Sequence, residues 1–441
     1  MKITFMGAGS TIFAKNVIGD CMLTEALRNA EFALYDILED RLEESFIMVN
    51  ALNQNINENR SKITKYLGEK NRKAALKDAD FVINAIQVGF YEPCTVLDFE
   101  IPKKYGLRQT IGDTLGIGGI MRGLRTIHVL EDFVKDMEEV CPNAYFLNYT
   151  NPMAILTGYM TRYSKIKTVG LCHSVQVCSE TILNELDLQD KLEGRKELIA
   201  GINHMAWLLK IEDAKGNDLY PEIRKRAQEK LKNTTNFYDC VRLDYINRFN
   251  YYVTESSEHN AEYNMFYIKE KAPELITKYN IPLDEYPRRC REQIKNWNKQ
   301  KEEILNTHKI NHIRTKEYAS YIMEAIVTNK EILINGNVLN KNHIIDNLPE
   351  DACVEVPCIV NSNGINPVYV GKLPIQCATM NQTNINVQLL TIEAAIKRDK
   401  KLVYNAAMLD PHTGSELTLD NIVKMVDELM EAEKDYLKEY H

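Results

Sequence analysis

From residue 2 to residue 172 the chain repeats one unit, a short apolar run followed by a longer amphipathic one. The apolar runs cover residues 2–6, 31–36, a stretch near Ile63, 80–85, 144–149 and 168–172. Strands that alternate with helices pair in parallel, because a parallel neighbour needs a crossover long enough to hold a helix, and such crossovers are right-handed. The first turn reads Gly7-Ala-Gly-Ser-Thr11 and leads into a helix. Glycines there let backbone amides approach a diphosphate at a helix N-terminus, and Asp36 ends the second strand where a carboxylate accepts hydrogen bonds from an adenosine ribose. Ile12 stands where a third glycine is expected, so the turn admits a plain reading as a tight turn beside the reading as a dinucleotide cradle. Asp36 favours the cradle. Gly7, Gly9, Ser10, Thr11, Asp36 and Gln87, which follows the fourth strand, are the candidate dinucleotide contacts.

The alternation stops near residue 197. With 441 residues the chain has room for two domains. The expected architecture is therefore α/β: a Rossmann-type domain of the lactate/malate dehydrogenase kind over 1–196, and an α+β substrate and oligomerisation domain over 197–441. The second half predicts a hairpin over 201–212, helices over 221–231 and 241–249, and a polar loop over 251–259. Beyond these it predicts a charged helix opening at 283–290, a helix over 318–327, strands near 332, 353–360 and 368–370, and helices over 374–397 and 417–440. The helix after the glycine-rich 106–119 stretch is expected to begin near Ile120.

A net charge of −8 argues against nucleic acid or an anionic membrane as partner and leaves a small molecule. No run of about 18 apolar residues is present and the N-terminus lacks a signal peptide, so the expected location is cytoplasmic. Ten cysteines without a Cys-x-x-Cys pair fit a reducing compartment, with one or two of them doing chemistry.

Cys172 and His173 sit at a strand-to-helix corner within Val169-Gly-Leu-Cys-His-Ser-Val-Gln176, and His204 follows about one helix later. A thiolate and an imidazole begin a site for a borderline divalent metal. The bland readings are a buried hydrophobic cysteine and a hydrogen-bonded structural histidine. Asp113 lies in the glycine-rich stretch, and Asn151 precedes Pro152 at the carboxyl edge of the sheet, where open α/β sheets bind ligands; either is also suited to capping a helix. A nucleotide and a metal in one chain point to redox chemistry at a polarised carbon–oxygen bond.

The motifs Gly7-Ala-Gly-Ser-Thr11, Asn148-Tyr-Thr-Asn-Pro152, Gly170-Leu-Cys-His-Ser-Val175, Gly201-Ile-Asn-His204 and Tyr252-Val-Thr-Glu-Ser-Ser-Glu-His259 occur in that order. With Asp284-Glu-Tyr-Pro287, Gln382-Thr-Asn-Ile-Asn-Val387 and Asp410-Pro-His-Thr413, the chain resembles glycoside hydrolase family 4 over nearly its whole length. The resemblance implies an NAD- and manganese-dependent glycosidase, and Cys172-His-Ser-Val175 is similar to the motif of the family's α-galactosidases. It implies a route outside the two-carboxylate scheme. NAD⁺ takes a hydride from C3, a base removes the acidified proton at C2, the aglycone leaves by elimination, water adds at C1 and the hydride returns.

The resemblance further implies Cys172 and His204 as metal ligands and Tyr252 as the C2 base, with Glu258 and His259 as rivals for that role and as sugar contacts. His173 stands where some relatives carry an aspartate as leaving-group acid, so it is acid or sugar contact. Asn151 and Asp113 match positions beside the sugar hydroxyls. Phospho-sugar members carry an arginine where this chain has Thr95, which favours an unphosphorylated substrate. A homodimer or homotetramer is expected. The alternatives are an α-glucosidase, an α-glucuronidase or α-galacturonidase using Arg288 or Arg289 for a carboxylate, a 2-hydroxy acid dehydrogenase, and a non-catalytic NAD sensor.

Overall fold

The computed structural model describes residues 1–234, 236–307 and 310–441; the side chains of Thr11, Gln300 and residues 303–306 also lie outside what is described, and with them the side-chain contact expected of Thr11. Six strands, β1 (Lys2–Met6), β2 (Glu31–Asp36), β3 (Lys62–Leu67), β4 (Phe81–Asn84), β5 (Tyr145–Asn148) and β6 (Lys167–Gly170), pair in parallel in the order 3-2-1-4-5-6. This is the dinucleotide-binding order, and its reversal between β1 and β4 opens a crevice at the carboxyl ends of the strands. β4 is buried along its whole length and β1 nearly so, as strands covered by helices on both faces must be.

The second half extends the same sheet. It contributes β7 (Lys196–Ile202), β8 (Met205–Glu212), β9 (Tyr252–Val253), β10 (Ile332–Leu339), β11 (Cys353–Asn361) and β12 (Gly364–Pro367). From β6 the order runs on through β10, β11, β7, β8 and β9, all antiparallel, with β12 beside β11. The joins between the parts are narrow: Gly170 of β6 pairs with Asn337 of β10, Asn337 with Glu355 of β11, and Glu355 with Gly201 of β7. A Cβ on Gly170 would lie 2.5 Å from both Met153 Sδ and Thr157 Oγ1, so only glycine lets this strand close against its helix.

Several expectations need correction. Residues 251–259 are not a polar loop: they hold β9 and the start of a buried helix, Ser257–Glu262. The helix expected near Ile120 starts at Gly116, where Gln109 Oε1 accepts the free amide of Gly118. The strand expected over 368–370 lies earlier, at Gly364–Pro367, as the return of a hairpin. The helix expected over 417–440 is Leu419–Ala432, and two more precede it, Lys400–Leu409 and Pro411–Glu416. Each begins at a side-chain cap, Asp399, Asp410 or Thr418, a signal the sequence carried. No helix among the described residues is long and apolar enough to cross a membrane.

The C-terminal helices return to the first half. Arg125, 1% exposed in the long helix Gly116–Val140, pairs with Asp98 at 2.6 Å and with Glu433 at 3.0 Å. Replacing it strands two buried carboxylates, which costs about 3–5 kcal/mol. Arg125→Ala is accordingly expected to lower the stability to chemical denaturation by about that amount; a loss under about 1 kcal/mol would show that the pair adds nothing to the docking of the C-terminus.

Candidate active site

The crevice at the carboxyl ends of β1 and β4 is a cleft of about 600 Å³ whose lining includes Gly7, Gly9, Ser10, Asp36 and Gln87. Gly7 has φ +84°, and a Cβ there would stand 2.7 Å from the Ala85 carbonyl oxygen, so the turn lies directly against the end of β4. Asp36 fixes the turn by accepting from the Gly9 amide at 2.6 Å and from those of Ile37 and Leu38 at 2.8 and 3.0 Å. The Ser10 hydroxyl is buried at the N-terminus of the helix Thr11–Met22 without a partner among the described residues. A buried polar atom of that kind asks for a ligand, and amides at a helix start favour an anion. Ile12, at the place of the missing glycine, is 40% exposed and forms part of the wall. The outer wall comes from the helix Glu285–Thr307 through Ile294 and Trp297, whose indole donates to Glu44 at 3.0 Å.

Three side chains gather where β6 meets the β7–β8 turn. Cys172 Sγ, a ring nitrogen of His204 and a carboxylate oxygen of Glu255 all lie within 4.8 Å of one another. Cys172 follows the end of β6, His204 occupies the turn behind β7, and Glu255 follows β9 with φ +63°. Glu255 was not singled out from the sequence; a carboxylate in a strained backbone conformation beside a conspicuous histidine was the signal. Burial alone would push the His204 imidazole down, but Cys172 and then Glu255 outweigh it and raise it to about 10. Burial would likewise push Glu255 up, and His259 and His204 bring it to about 2. A soft sulfur, an imidazole and a hard oxygen on one centre make a three-ligand set with room left for substrate oxygens.

The surrounding residues are fixed in turn. The His259 ring lies tilted by 60° against that of His204, centroids 5.5 Å apart, and its Nδ1 lies 2.6 Å from Ser256 Oγ. Asp113 accepts from Asn151 Nδ2 at 3.1 Å and from Thr114 Oγ1 at 2.7 Å, so the two sequence candidates meet. Glu262 accepts from the amides of Thr110, Ile111 and Gly112 and holds the loop that carries Asp113. His173 is exposed, with Nδ1 3.1 Å from Glu317. Glu258 is buried and paired with Arg289, which also donates to Glu285 at 2.8 Å; Arg288 is held by Glu285 and Glu292. Thr95 is buried, donating to the Phe90 carbonyl at 3.0 Å, so no cation reaches the site from that turn.

Tyr252 stands differently from expectation. Its hydroxyl donates to Asp239 at 2.6 Å, its ring lies under the Arg242 guanidinium and it packs with Val175, Cys178 and Leu208. The phenol beside the trio is Tyr263, whose oxygen is 3.4 Å from His204 Nδ1. It falls in the helical register that Ser257–Glu262 sets up, which the loop reading of this stretch concealed.

Comparison with known proteins matches the chain to the model of the family 4 glycosyl hydrolases over residues 2–188 and to that of the family 4 glycosyl hydrolase C-terminal domain over 199–413. A protein named α-galactosidase from Bacillus subtilis (strain 168) is 58% identical, with 100% of this chain and 99% of that protein covered. An α-galactosidase from Rhizobium meliloti (strain 1021) is 35% identical, with 100% and 89% covered. Among solved structures, a 6-phospho-α-glucosidase from gut microorganisms in complex with NAD and Mn²⁺ superposes with a TM-score of 0.81 at 21% identity, covering 100% of this chain and 99% of that one.

A metal on His204 must displace a proton from an imidazole held near 10, so binding releases about one proton and affinity climbs with pH. Titrations of Mn²⁺ at pH 6.5 and 8.5 are expected to show at least about tenfold tighter binding at the higher pH, with proton uptake by buffers of different ionisation enthalpy. Equal affinity at both values would mean that the metal displaces no proton from His204.

Proposed function

The chain belongs to family 4 of the glycosyl hydrolases, and on that premise we propose that it hydrolyses terminal α-galactosides with NAD⁺ and a divalent metal, manganese first among them. The observation that carries the reading is the Cys172, His204 and Glu255 trio beside a dinucleotide cleft. A dehydrogenase of hydroxy acids has no use for such a trio. The preference for galactose rests on the relative from Bacillus subtilis, which is named α-galactosidase and matches this chain from end to end.

The cleft fits NAD: Ser10 and the helix start suit the diphosphate, and the Asp36 carboxylate suits a ribose diol and would repel a 2′-phosphate. Cys172, His204 and Glu255 fit the metal. When bound, NAD⁺ supplies a transient hydride acceptor for C3 of the sugar, and the metal supplies a Lewis acid for the oxygens on C2 and C3. Asp113 and Asn151, locked to each other, orient the sugar hydroxyls. Tyr263 removes the C2 proton at its phenol oxygen; burial pushes that phenol up, and a cation beside it is what would bring it into range. His173, with Nδ1 engaged by Glu317, donates from Nε2 to the departing glycosidic oxygen. His259 closes the pocket over His204 and keeps water from it.

We assign cofactor binding to residues 1–196 and most of the sugar site to 197–441. The enzyme works in the cytoplasm, where NAD is supplied and the Cys172 thiol stays reduced; all ten cysteines are unpaired. It works as a homo-oligomer of two or four copies.

Release of p-nitrophenol from its α-galactoside is expected to require NAD⁺ and Mn²⁺ together without net NADH, and hydrolysis in heavy water to leave deuterium at C2. Stoichiometric NADH, or product free of deuterium, would sink the elimination route. Tyr263→Phe is expected to lower kcat by about 10²-fold or more while Mn²⁺ and NAD⁺ still bind. Tyr252→Phe should cost less than about tenfold; the reverse ranking would return the base to Tyr252.

A further inference from the structure

The proposal here rests on the glycosidase reading above and concerns the charge of the sugar that the site accepts. Three carboxylates, Asp113, Glu255 and Glu258, surround His259 closely enough to act on its imidazole, and Glu258 precedes His259 on the same short helix. That helix and the loop bearing Asp113 form one unit. The Glu258 carbonyl accepts from Thr110 Oγ1 at 2.7 Å, and Glu262, one turn on, gathers the amides of Thr110 and Gly112 at 2.8 Å each.

Across from this unit stands the first turn of the helix Glu285–Thr307, tied to the same loop by the Tyr286 amide, which donates to the Thr110 carbonyl at 3.0 Å. It presents Arg289. Its side chain is 38% exposed, while that of Glu258 is 1% exposed, so in this pair the acid faces inward and the base outward. Two carboxylates already face Arg289: one terminal nitrogen donates to Glu258 and Nε donates to Glu285 at 2.8 Å, which covers one edge of the guanidinium and matches its charge. Arg288 is occupied by Glu285 and Glu292.

We propose that Glu258 and Glu285 act as a charge filter, holding Arg289 neutralised so that the pocket takes a neutral hexose and turns away uronates and phosphorylated sugars. An anionic sugar would have to pull a guanidinium off two carboxylates and then sit beside both, a repulsive element set against the wrong ligand. A neutral galactose meets the same wall without that opposition and finds acceptors for its hydroxyls. Specificity thus resides in the residues that occupy the arginine rather than in the arginine itself.

The test is calorimetric binding of D-galactose and of D-galacturonate to protein loaded with NAD⁺ and Mn²⁺, as wild type, Glu258→Gln and Glu285→Gln. Binding is read without turnover, so failure of the filter is separate from failure of the α-galactosidase reading, which would appear as wild type inert on the p-nitrophenyl α-galactoside. Wild type is expected to bind galacturonate at least about tenfold more weakly than galactose, and either glutamine variant to narrow that ratio about tenfold or more. Glu258→Gln combined with Arg289→Gln should restore the wild-type ratio, because the released cation is gone. A ratio unmoved in both single variants overturns the proposal, as does a wild type that binds both sugars equally.

Discussion

A single polar row crosses the sheet between the two strands from which Cys172 and His204 emerge. Gly170, Asn337, Glu355 and Gly201 are successive cross-strand partners on β6, β10, β11 and β7. The Asn337 amide donates to the Gly170 carbonyl at 3.3 Å and to Glu355 Oε1 at 3.0 Å, and Asn203 reaches the same oxygen at 3.5 Å. Cys172 lies just beyond one end of this row and His204 just beyond the other. Three strand spacings separate the ends of the row, so it is the chain beyond Gly170 and Gly201 that turns back to bring the sulfur and the imidazole within 4.8 Å. Glu355 is wholly buried, which pushes its carboxyl up to about 7, and an apolar row would hold the strands as well. What an apolar row lacks is direction: the Asn337 amide reads the register of β6 and β11 at once, and a slip of one residue would break both bonds.

Around that fixed pair the charges are arranged so that none is buried alone. His204 is held between Cys172 and Glu255, Glu255 between two histidines, and Arg125 between two acids behind the cleft wall, where its Nε donates to the Val88 carbonyl at 3.1 Å. Near the trio the excess is acidic, with Asp113 and Glu258 beside Glu255 and the Arg289 charge already matched. Such a pocket attracts a divalent cation and is indifferent to a neutral hexose. On the proposed reading the same electrostatics that would hold a metal also restrict the substrate, and both follow from where β9 and the helix behind it place their acids.

The parallel half was legible because burial on both faces leaves apolar runs that no helix of that length could use, and the glycine turn and Asp36 then fall at the ends of two adjacent strands. Cys172 and His204 were legible as metal-ligand types, and the structure brings them together. Asn151 and Asp113 were legible only singly; their mutual hydrogen bond comes from a long loop whose path Glu262 dictates from a distant segment. The stretch 251–259 was read as a polar loop because its charged residues suggested solvent, whereas they are buried or paired, and the resemblance pointed to Tyr252, while the structure sets Tyr263 beside His204. The extension of one sheet through both halves was invisible, since β10 and β11 insert between β6 and β7 from more than a hundred residues downstream, and nothing local announces such a pairing.

The helix Glu285–Thr307 gives the two halves of the reaction a common wall. Near its start Arg289 closes the sugar side, Tyr286 approaches the buried Arg122 beside Asp113, and Ile294 and Trp297 farther along line the nucleotide cleft. A rigid helix that touches both ligands transmits any shift at one end to the other, because its hydrogen-bonded backbone does not shorten or bend at small cost. Trp297, which Glu44 ties to the first half, and Arg289, which pairs with Glu258, thus stand on one helix. The chemistry requires the nicotinamide ring and the sugar carbon to meet at one spot for every turnover, and a shared wall satisfies that requirement more economically than two independent pockets would.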